Sequence, residues 1–496
     1  MLRSIMLRFS VLFALFLLLS GQAFAQPLAK KVQEHHLKNG LTLLLVERHD
    51  SPTVAAYISF RVGSVNEDSR ERGVAHLLEH MLFKGTKTLG TKNYQAEKPL
   101  LAKIETLGQR IDFLKNRPDT DPQQLKQLRT QLVRLQKEHR KLLIKDEFAR
   151  IYAENGGVGY NAFTTKDQTT YLINLPANKL ELWAAIESDR FQNAVLREFY
   201  TERDVVREER RRSYESNPDG MLYETLLATA YEVHPYRNPV IGWGSDIENL
   251  SLVETRNFLH KYYSPVNMVI TLVGDFDSAA ALELVTRYFG SMPPGVPVPP
   301  VVTREPPQDG ERRTRIIFDT EPQLMMAYHK PTMPNRDDYA FDILMQVLGE
   351  GRTSRLYQSL IVDKQLATQV SVFGAPGSRY PNLMVIALTP RQSCSCVDVE
   401  DVVQAELAKL QNEPISAADL DKARKQIFTS ILRSLRGNSG LARMLSSYEV
   451  LGGWRYLVDY EKQLNSITAE EVMAVAKKYL TTANRTVVSI GREGLK

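Results

Sequence analysis

The sequence predicts an α+β protein built from two homologous α/β-sandwich domains, with a helical hairpin inserted in the first. Three observations support this fold class. Strand-like runs alternate with helical runs along the chain. The pattern of residues 250–274 recurs at 467–491, with every residue number raised by 217. A proline-rich stretch, residues 293–312, separates the two similar parts and is typical of a semi-rigid linker.

The repeat is clearest where a helical segment leads into an apolar strand. The matched pairs, in one register without a gap, are Leu250 and Ile467, Ser251 and Thr468, Glu254 and Glu471, Lys261 and Lys478, Tyr262 and Tyr479, Asn267 and Asn484, and Gly274 and Gly491. Chance could produce a few such pairs, but an ungapped series is typical of a duplicated unit. We therefore expect domains over 26–292 and 313–496.

Composition and charge describe an ordinary globular protein. Of the 496 residues, 43% are hydrophobic and 24% are charged, which excludes general disorder. The formal net charge of +5 is too small to indicate a nucleic-acid partner. Cys394 and Cys396 are separated by one residue, so a disulfide between them would be strained, and two thiolates alone make a poor zinc site. We expect both cysteines to be incidental.

The N-terminus resembles a secretory signal peptide over residues 1–25. Arg3 and Arg8 flank the start of an apolar run, Phe9–Leu19, and Ala23-Phe24-Ala25 offers a cleavage site with small residues. The apolar run is short for a bilayer span, and an uncleaved anchor is the alternative. No later segment is long and apolar enough to cross a membrane. We therefore expect an exported protein in a bacterial periplasm.

Strand and helix signals follow one another through the first domain. Strands are expected at Leu41–Glu47 and Thr53–Val62, the first of them after an Asn39-Gly40 turn. Leucines and isoleucines spaced by three and four over about 96–146 predict an antiparallel coiled-coil hairpin. His139 lies on the seam of this hairpin, where a packed or partly exposed side chain is expected and not a metal ligand. The later expected elements are strands at Tyr160–Thr165 and Thr169–Asn174, helices over 178–216, a helix at Val253–Tyr263 and a buried strand at Val266–Gly274.

The stretch Gly73–Phe83 predicts an amphipathic helix with an unusual polar face. His76 and His80 are four residues apart and therefore lie one turn above each other, with Glu79 between them. Two imidazoles at this spacing can bind one zinc ion, and a nearby carboxylate can take a proton from water. The order His-x-x-Glu-His is the inverzincin signature. The alternative is two surface histidines beside a solvated glutamate.

A catalytic zinc site needs a third protein ligand and an open position for water. The acidic segment 202–210 offers candidates, because Glu202 and Glu209 are seven residues apart and share one helix face. One of them could bind the metal while the other orients a histidine. A solvated, charged helix face would show the same pattern, so the spacing alone leaves both interpretations open.

Four motifs resemble those of the pitrilysin/insulinase family of zinc metallopeptidases, especially its short two-domain bacterial members related to the mitochondrial processing peptidase. In chain order they are His76-Leu77-Leu78-Glu79-His80, Phe83-Lys84-Gly85-Thr86, Asn161-Ala162-Phe163-Thr164 and Glu202-Arg203-Asp204-Val205-Val206-Arg207-Glu208-Glu209. The resemblance covers essentially the whole mature chain, including the duplication. It implies the catalytic subunit of an exported zinc-dependent endopeptidase that hydrolyses extended peptides or unfolded polypeptides.

The resemblance also implies a role for each residue of the site. The implied roles are ligands of one Zn²⁺ per chain for His76, His80 and Glu209, a supporting acid for Glu202, and the general base that activates water for Glu79. Glu208 competes with Glu209 as the third ligand. The interval of seven from Glu202 matches the paired glutamates of the family and favours Glu209.

Family members bind the substrate as an additional strand on a sheet edge, main chain to main chain. Tyr160–Thr165 resembles that edge strand. The resemblance implies that Asn161, Ala162 and Phe163 contact the peptide beside the scissile bond. The alternative is an ordinary strand between two turns.

The chain departs from the family pattern at two positions. Active members carry an arginine and a tyrosine, seven apart, that hold the substrate and its developing oxyanion. The matching segment, expected as a helix over 354–368, has Ile361 and Thr368 instead. Because oxyanion stabilisation is a large part of catalysis, we expect an obligate heterodimer with a homologous subunit that supplies the missing pair. The alternative is a catalytically silent family member that serves as an assembly or peptide-binding subunit.

Overall fold

Two β-sheets form the framework of the protein, and their inner strands are apolar along their length. The computed structural model describes residues 25–392 and 394–493. Its strands are β1 (Gln33–His36), β2 (Thr42–Glu47), β3 (Thr53–Phe60), β4 (Val158–Thr164), β5 (Thr169–Pro176), β6 (Met268–Gly274), β7 (Arg312–Ile317), β8 (Gln323–Lys330), β9 (Ala367–Ala375), β10 (Asn382–Pro390) and β11 (Arg485–Gly491). The signal peptide predicted over 1–25 lies, apart from Ala25, outside the described residues.

Helices cover the sheets and connect their strands. In the first half they are α1 (Ala25–Lys31), α2 (Val74–Met81), α3 (Tyr94–Lys115), α4 (Pro122–Arg140), α5 (Glu147–Glu154), α6 (Leu180–Asn193), α7 (Phe199–Arg210), α8 (Pro218–Ala230), α9 (Gly244–Asn249), α10 (Leu252–Tyr262) and α11 (Ser278–Phe289). In the second half they are α12 (Arg336–Gly349), α13 (Arg355–Tyr357), α14 (Cys396–Asn412), α15 (Ala417–Arg436), α16 (Asn438–Leu451), α17 (Arg455–Ser466) and α18 (Ala469–Tyr479). Within the described ranges, none of these helices combines the length and the apolar character that a bilayer span requires. Cys394 and Cys396 are not joined by a disulfide.

The two sheets have the same strand order. The first runs β1-β2-β6-β3-β5-β4 and the second runs β7-β11-β8-β10-β9, so that β1 is the one addition to the first sheet. Each sheet contains one parallel pair, β2 with β6 and β7 with β11. The neighbouring strands are antiparallel in both sheets. The predicted α+β fold with two homologous sandwich domains is therefore confirmed.

The last helix and strand of each half are the clearest copies. Adding 217 to the bounds of α10 and β6 gives the bounds of α18 and β11. Both helices begin with a capping box, formed by Ser251 with Glu254 and by Thr468 with Glu471. In each box the hydroxyl accepts a hydrogen bond from the glutamate backbone, and the glutamate carboxylate accepts one from the backbone of the capping residue. The sequence repeat therefore corresponds to a repeated structural unit.

The predicted helical hairpin is present as α3 and α4. Its base is held to the first domain by buried charged groups. Glu97 Oε1 lies 2.7 Å from His139 Nε2 on α4 and 2.6 Å from Arg197 Nε, which precedes α7. All three side chains are almost completely buried. His139 is therefore packed and not partly exposed, the first of the two outcomes that its seam position left open.

The proline-rich linker is held against the folded parts on both sides. Asn267 Nδ2 donates a hydrogen bond to Val296 O at 2.9 Å. The carboxylate of Glu305 accepts hydrogen bonds from the backbone N–H groups of residues 232–234. The extended segment ends where β7 begins, at Arg312, which is the last residue of the predicted linker.

Each sheet is covered on one face by a helix from the other half. α16 packs on β3 and β6, where Leu445 joins Tyr57 and Val269 in one buried cluster. Reciprocally, α8 packs on β8 and β11, where Leu226 joins Val488. The two halves therefore share their hydrophobic cores. The sequence did not indicate that each helix covers the sheet of the other half, because an apolar helix face does not reveal which sheet it will contact.

We expect Leu445→Ala to lower the free energy of unfolding by about 2–5 kcal/mol, because the side chain is fully buried against the sheet of the other half. Both halves should still unfold in one cooperative transition. Urea unfolding followed by circular dichroism and tryptophan fluorescence measures both quantities. Val397→Ala, at a side chain that is 53% exposed, is the control and should have an effect of less than about 0.5 kcal/mol. Two separate transitions would contradict the shared core.

Candidate active site

Helix α2 is fixed at its N-terminus by a buried glutamate. Glu67 accepts hydrogen bonds from the backbone N–H groups of Gly73 and Ala75, at 2.8 and 2.9 Å. These N–H groups have no acceptor within the helix, and the oxygens of Glu67 satisfy them. Gly73 has a φ of +91°, and a Cβ at this position would lie 2.5 Å from Ile241 O. The hydrogen bonds of Glu67 and the close approach of Gly73 to Ile241 therefore fix the start of the helix that carries the two histidines.

Two histidines of α2 and one glutamate of α7 meet at a single point. His76 Nε2 lies 3.7 Å from Glu209 Oε1, and His80 Nε2 lies 3.6 Å from Glu209 Oε2. The three possible ligand atoms all lie within 4.8 Å of one another. Zinc bonds of about 2.0–2.1 Å in a tetrahedral arrangement place ligand atoms about 3.4 Å apart. The residues therefore fit a zinc ion with three protein ligands, the number typical of catalytic zinc sites.

The two histidines have environments that suit metal ligands. Burial, and then the charge of His80, lowers the pKa of His76 to about 3, so its imidazole is neutral. His80 Nδ1 lies 3.0 Å from Glu202 Oε1, which leaves Nε2 directed to Glu209. Burial would raise the pKa of Glu202, but its hydrogen bonds with His80 and Lys84 outweigh this and lower the pKa to about 2. Glu202 is therefore charged and orients His80, as carboxylates behind zinc-binding histidines do.

Glu79 is held between the histidines and the edge of the first sheet. Its Oε2 accepts a hydrogen bond of 2.5 Å from Thr164 Oγ1, the last residue of β4. Its other oxygen accepts no hydrogen bond within the described residues and is free to accept one from water. Burial raises the pKa of Glu79, which makes its carboxylate a better proton acceptor near neutral pH.

Glu208, the competing third ligand, is bound elsewhere. Its carboxylate accepts hydrogen bonds from Arg211 at 2.7 and 2.8 Å and from Arg212 at 2.9 Å. The same contacts lower the pKa of Glu208 to about 2. Of the two neighbouring glutamates, the structure brings Glu209 to the histidines.

β4 is an edge strand and lies beside α2. It pairs with β5 on one side, and no strand among the described residues pairs with its other side. Asn161 is exposed, Ala162 is buried, and Phe163 is half-buried with the Arg443 guanidinium of the second half 5.1 Å from its ring centre. The three residues predicted to contact the substrate therefore lie on an open strand edge, and the same strand ends at the hydroxyl that holds Glu79.

The segment expected as one helix over 354–368 is interrupted, so that prediction was wrong. α13 continues as a π-helical turn that ends at Asp363, and Thr368 lies on β9, the edge strand of the second sheet. Ile361 packs partly buried against the second core. Thr368 is exposed and donates a hydrogen bond to Thr389 O on β10 at 3.2 Å. Threonine and valine alternate with other residues from position 368 onward, a pattern that favours a strand.

Three side chains that support the site received no role from the sequence. Lys84 and Thr164 belong to two of the four family motifs, and membership of a motif was the sequence feature that could have assigned them a role. Lys84 Nζ binds Glu202 Oε2 at 2.5 Å, and Thr164 holds Glu79. Glu67 is an acid shortly before the glycine that starts α2, and only that weak signal of a helix N-terminus pointed to it.

We expect Glu202→Gln to weaken zinc binding about 10- to 100-fold, because the amide cannot stabilise the His80 imidazole as the carboxylate does. Competition with a zinc-binding dye measures the dissociation constant. Glu208→Gln makes the same chemical change on the adjacent surface and should leave zinc affinity within about twofold. Equal affinities for all three proteins would contradict the role given to Glu202.

Two family models match the chain. One, described as "Insulinase (Peptidase family M16)", matches residues 42–114 and 144–243. The other, described as "Peptidase M16 inactive domain", matches residues 249–427. The unmatched residues 115–143 contain α4, the second helix of the hairpin. Together the two models cover both halves of the chain.

Individual proteins that are similar to this chain indicate the same family. The chain is 28% identical over 494 residues to "Zinc protease PqqE" of Helicobacter pylori, with 96% of each protein covered. It is 24% identical over 483 residues to "Mitochondrial-processing peptidase subunit beta" of Neurospora crassa, covering 94% of this chain and 89% of that protein. The solved structure described as "The crystal structure of a protease from Helicobacter pylori" has a TM-score of 0.78 at 27% identity, covering 93% of this chain and 99% of that one. The resemblance seen in the motifs is thus confirmed, and the chain belongs to the pitrilysin/insulinase family, peptidase family M16.

Proposed function

We propose that this chain is the catalytic subunit of an exported zinc-dependent endopeptidase that hydrolyses extended peptides or unfolded polypeptides. The observation that carries the proposal is the meeting of His76, His80 and Glu209 at one point, with Glu79 oriented beside them. A protein that served only as a scaffold would have no need of this arrangement. One similar protein is named a zinc protease, which supports the same activity.

The chemistry follows from the arrangement of these side chains. One zinc ion bound by the three ligands would polarise the scissile carbonyl and lower the pKa of a water molecule. Glu79 would take the proton from that water and later pass it to the leaving amine. Thr164 holds one oxygen of Glu79, so that the other is directed to the proton. Glu202 keeps His80 in the tautomer whose Nε2 binds the metal.

The peptide would bind to β4 as an added strand. The open side of β4 offers main-chain hydrogen bonds, which recognise an extended backbone with little regard to sequence. Asn161, Ala162 and Phe163 would then contact the residues beside the scissile bond. An extended or unfolded segment could bind in this way, whereas a folded domain could not.

We also infer export to the periplasm and assembly with a homologous subunit. Residues 1–25 carry the pattern of a cleavable signal peptide. The arginine and tyrosine of active family members are replaced by Ile361 and Thr368. A related subunit could supply that pair across a shared chamber, and one relative of this chain is named as a subunit of a processing peptidase.

Metal removal and replacement test the proposed activity. The purified protein, mixed with a homologous subunit, should contain one zinc per copy of this chain and cleave a long unstructured fluorogenic peptide. Dialysis against a chelator should abolish cleavage, and added zinc should restore it. Cleavage that persists in the metal-free protein would contradict the proposal.

The replacement of the arginine and tyrosine favours a second candidate, a catalytically silent subunit that binds peptides. Such a protein would bind a peptide along β4 and cleave nothing, even with a partner present. It would also tolerate loss of Glu79 without any change in binding. Zinc content and turnover, measured on the same preparation, separate this candidate from the peptidase.

A further inference from the structure

We propose that the second half of the chain contains a binding site for an alkylammonium group. The site is a cavity of about 380 Å³ between α12, α15, α17 and the turn that joins β9 to β10. It shares no residue with the proposed zinc site. Its occupation by a ligand does not depend on whether the chain cleaves peptides.

The cavity lies against the helix that corresponds to α2. β3 and β8 occupy equivalent positions in the strand orders of the two sheets. The α-helix that follows β3 along the chain is α2, and the one that follows β8 is α12. α2 carries His76 and His80 four residues apart. α12 carries Asp338 and Asp342, also four residues apart. The second half therefore presents two carboxylates on the helix that corresponds to the one with two imidazoles.

The cavity is lined by two carboxylates, Asp338 and Asp342, and by one cation, Lys330. Lys330 Nζ binds Asp338 Oδ1 and also donates to Pro331 O, so Asp338 has its countercharge. Asp342 Oδ2 accepts a hydrogen bond of 2.6 Å from Tyr460 Oη, and its Oδ1 accepts none within the described residues. Burial, and then the charge of Asp338, raises the pKa of Asp342 to about 6, and the opposing effects of Tyr460 and of Lys330, which is paired with Asp338, do not outweigh this. At neutral pH one negative charge is left for a ligand.

A second acceptor in the cavity wall also lacks a partner. Asn382 lines the cavity and is 4% exposed. Its Nδ2 donates to Gly377 O, whereas its Oδ1 is buried without a hydrogen-bond partner in the described part of the chain. Buried amide oxygens nearly always have a donor. A primary ammonium carries one positive charge, which Asp342 can balance, and three N–H donors for acceptors of the cavity wall.

Apolar residues in part of the wall and the available charge favour an organic cation over a metal ion. Met345, Ile427 and Ile431 line the cavity and offer an apolar surface to an alkyl stem. Hard divalent cations prefer six or more oxygen ligands and more than one carboxylate charge. Here one of the two carboxylates is already bound to Lys330. An ammonium group on a short aliphatic chain fits both the charge and the walls.

Calorimetric titration of the full chain at pH 8 tests the site with three four-carbon probes. The probes are n-butylammonium, n-butanol and butyrate, which have similar stems and differ in charge. We expect n-butylammonium to bind at least about tenfold more tightly than n-butanol, and butyrate not to bind. Asp342→Asn should weaken n-butylammonium binding about tenfold or more, the usual effect of losing a charged hydrogen-bond partner. Equal binding of the alcohol and the ammonium would overturn the proposal.

Two further variants control for a general charge effect and for misfolding of Asp342→Asn. Asp363→Asn makes the same chemical change at an exposed aspartate of the second half and should leave binding within about twofold. Equal losses in both asparagine variants would overturn the proposal, since they would indicate a general charge effect. Met345→Trp retains Asp342 but fills the cavity, and it should abolish binding even if Asp342→Asn fails to fold. Unchanged binding by a folded Met345→Trp protein would also overturn the site.

The ammonium group could come from a free amine or from a lysine side chain of a peptide. A pair of short peptides that differ only in lysine or norleucine distinguishes these sources. Competition between the lysine peptide and n-butylammonium would identify a lysine side chain as the ligand. Binding of the amine without binding of the lysine peptide would identify a small-amine site. Neither measurement involves peptide cleavage, so failure here leaves the proposed peptidase activity untouched.

Discussion

Glu79→Gln is expected to keep one zinc ion per chain and to lower kcat for an extended peptide by a factor of about 10² to 10⁴. Glutamine preserves the size of the side chain and can still accept the hydrogen bond from Thr164. It cannot take a proton from water. The proposed zinc ligands His76, His80 and Glu209 remain, so zinc binding should persist. KM should change little, because the proposed binding surface for the peptide is the main chain of β4 and not Glu79.

A quenched fluorescent peptide and elemental analysis of the same protein provide the two readouts. Glu208→Gln is the matched control, because it makes the same change on the same acidic surface at a residue bound to Arg211 and Arg212. It should retain turnover within about twofold. Undiminished turnover in Glu79→Gln would exclude Glu79 as the general base. Loss of zinc would show that Glu79 has a structural role at the metal.

The isolated chain is expected to be at least about 10²-fold less active than the chain mixed with a homologous subunit that carries the family arginine and tyrosine. Ile361 has no hydrogen-bonding side chain. The Thr368 hydroxyl already donates to Thr389 O within the second sheet. Neither residue replaces a guanidinium and a phenol that stabilise the developing oxyanion. The deficit should therefore appear mainly in kcat, since oxyanion contacts form in the transition state.

Co-purification, size-exclusion chromatography and the same peptide assay test this expectation. The control is the partner with its arginine and tyrosine changed to alanine and phenylalanine. This variant should still assemble with the chain but should not restore turnover. Full activity of the isolated chain would contradict the need for a partner. Stimulation by the altered partner would show that assembly alone matters.

The fold followed from patterns that are local in the sequence. Short, continuous apolar runs marked the inner strands, and the ungapped register between 250–274 and 467–491 revealed the duplication. The structure reproduces that register down to the capping boxes of α10 and α18. The segment 354–368 departs from the single helix that the family pattern implies, because β-branched residues begin a strand at its end.

The helical spacing suggested the two histidine ligands, and the family interval of seven from Glu202 favoured Glu209 over Glu208 as the third. His76 and His80 are tied together by the helical period, so their common face followed from the sequence. Glu208 and Glu209 are adjacent, and their different surroundings arise from the packing of α7 against α2. The structure places Glu209 3.6–3.7 Å from both imidazoles, while Glu208 binds two arginines.

The sequence by itself determined the duplicated α+β fold, the helical hairpin and the polar residues of the site, because these depend on periods and motifs within one segment. The tertiary structure alone decided how the segments meet. It brought Thr164 to Glu79 across 85 positions of the chain and placed α8 and α16 each on the sheet of the other half. It also left Asn382 Oδ1 without a hydrogen-bond partner among the described residues, in the wall of a cavity where Asp342 accepts one from Tyr460. Contacts between distant segments depend on how whole faces pack, and one segment does not encode the face it will meet.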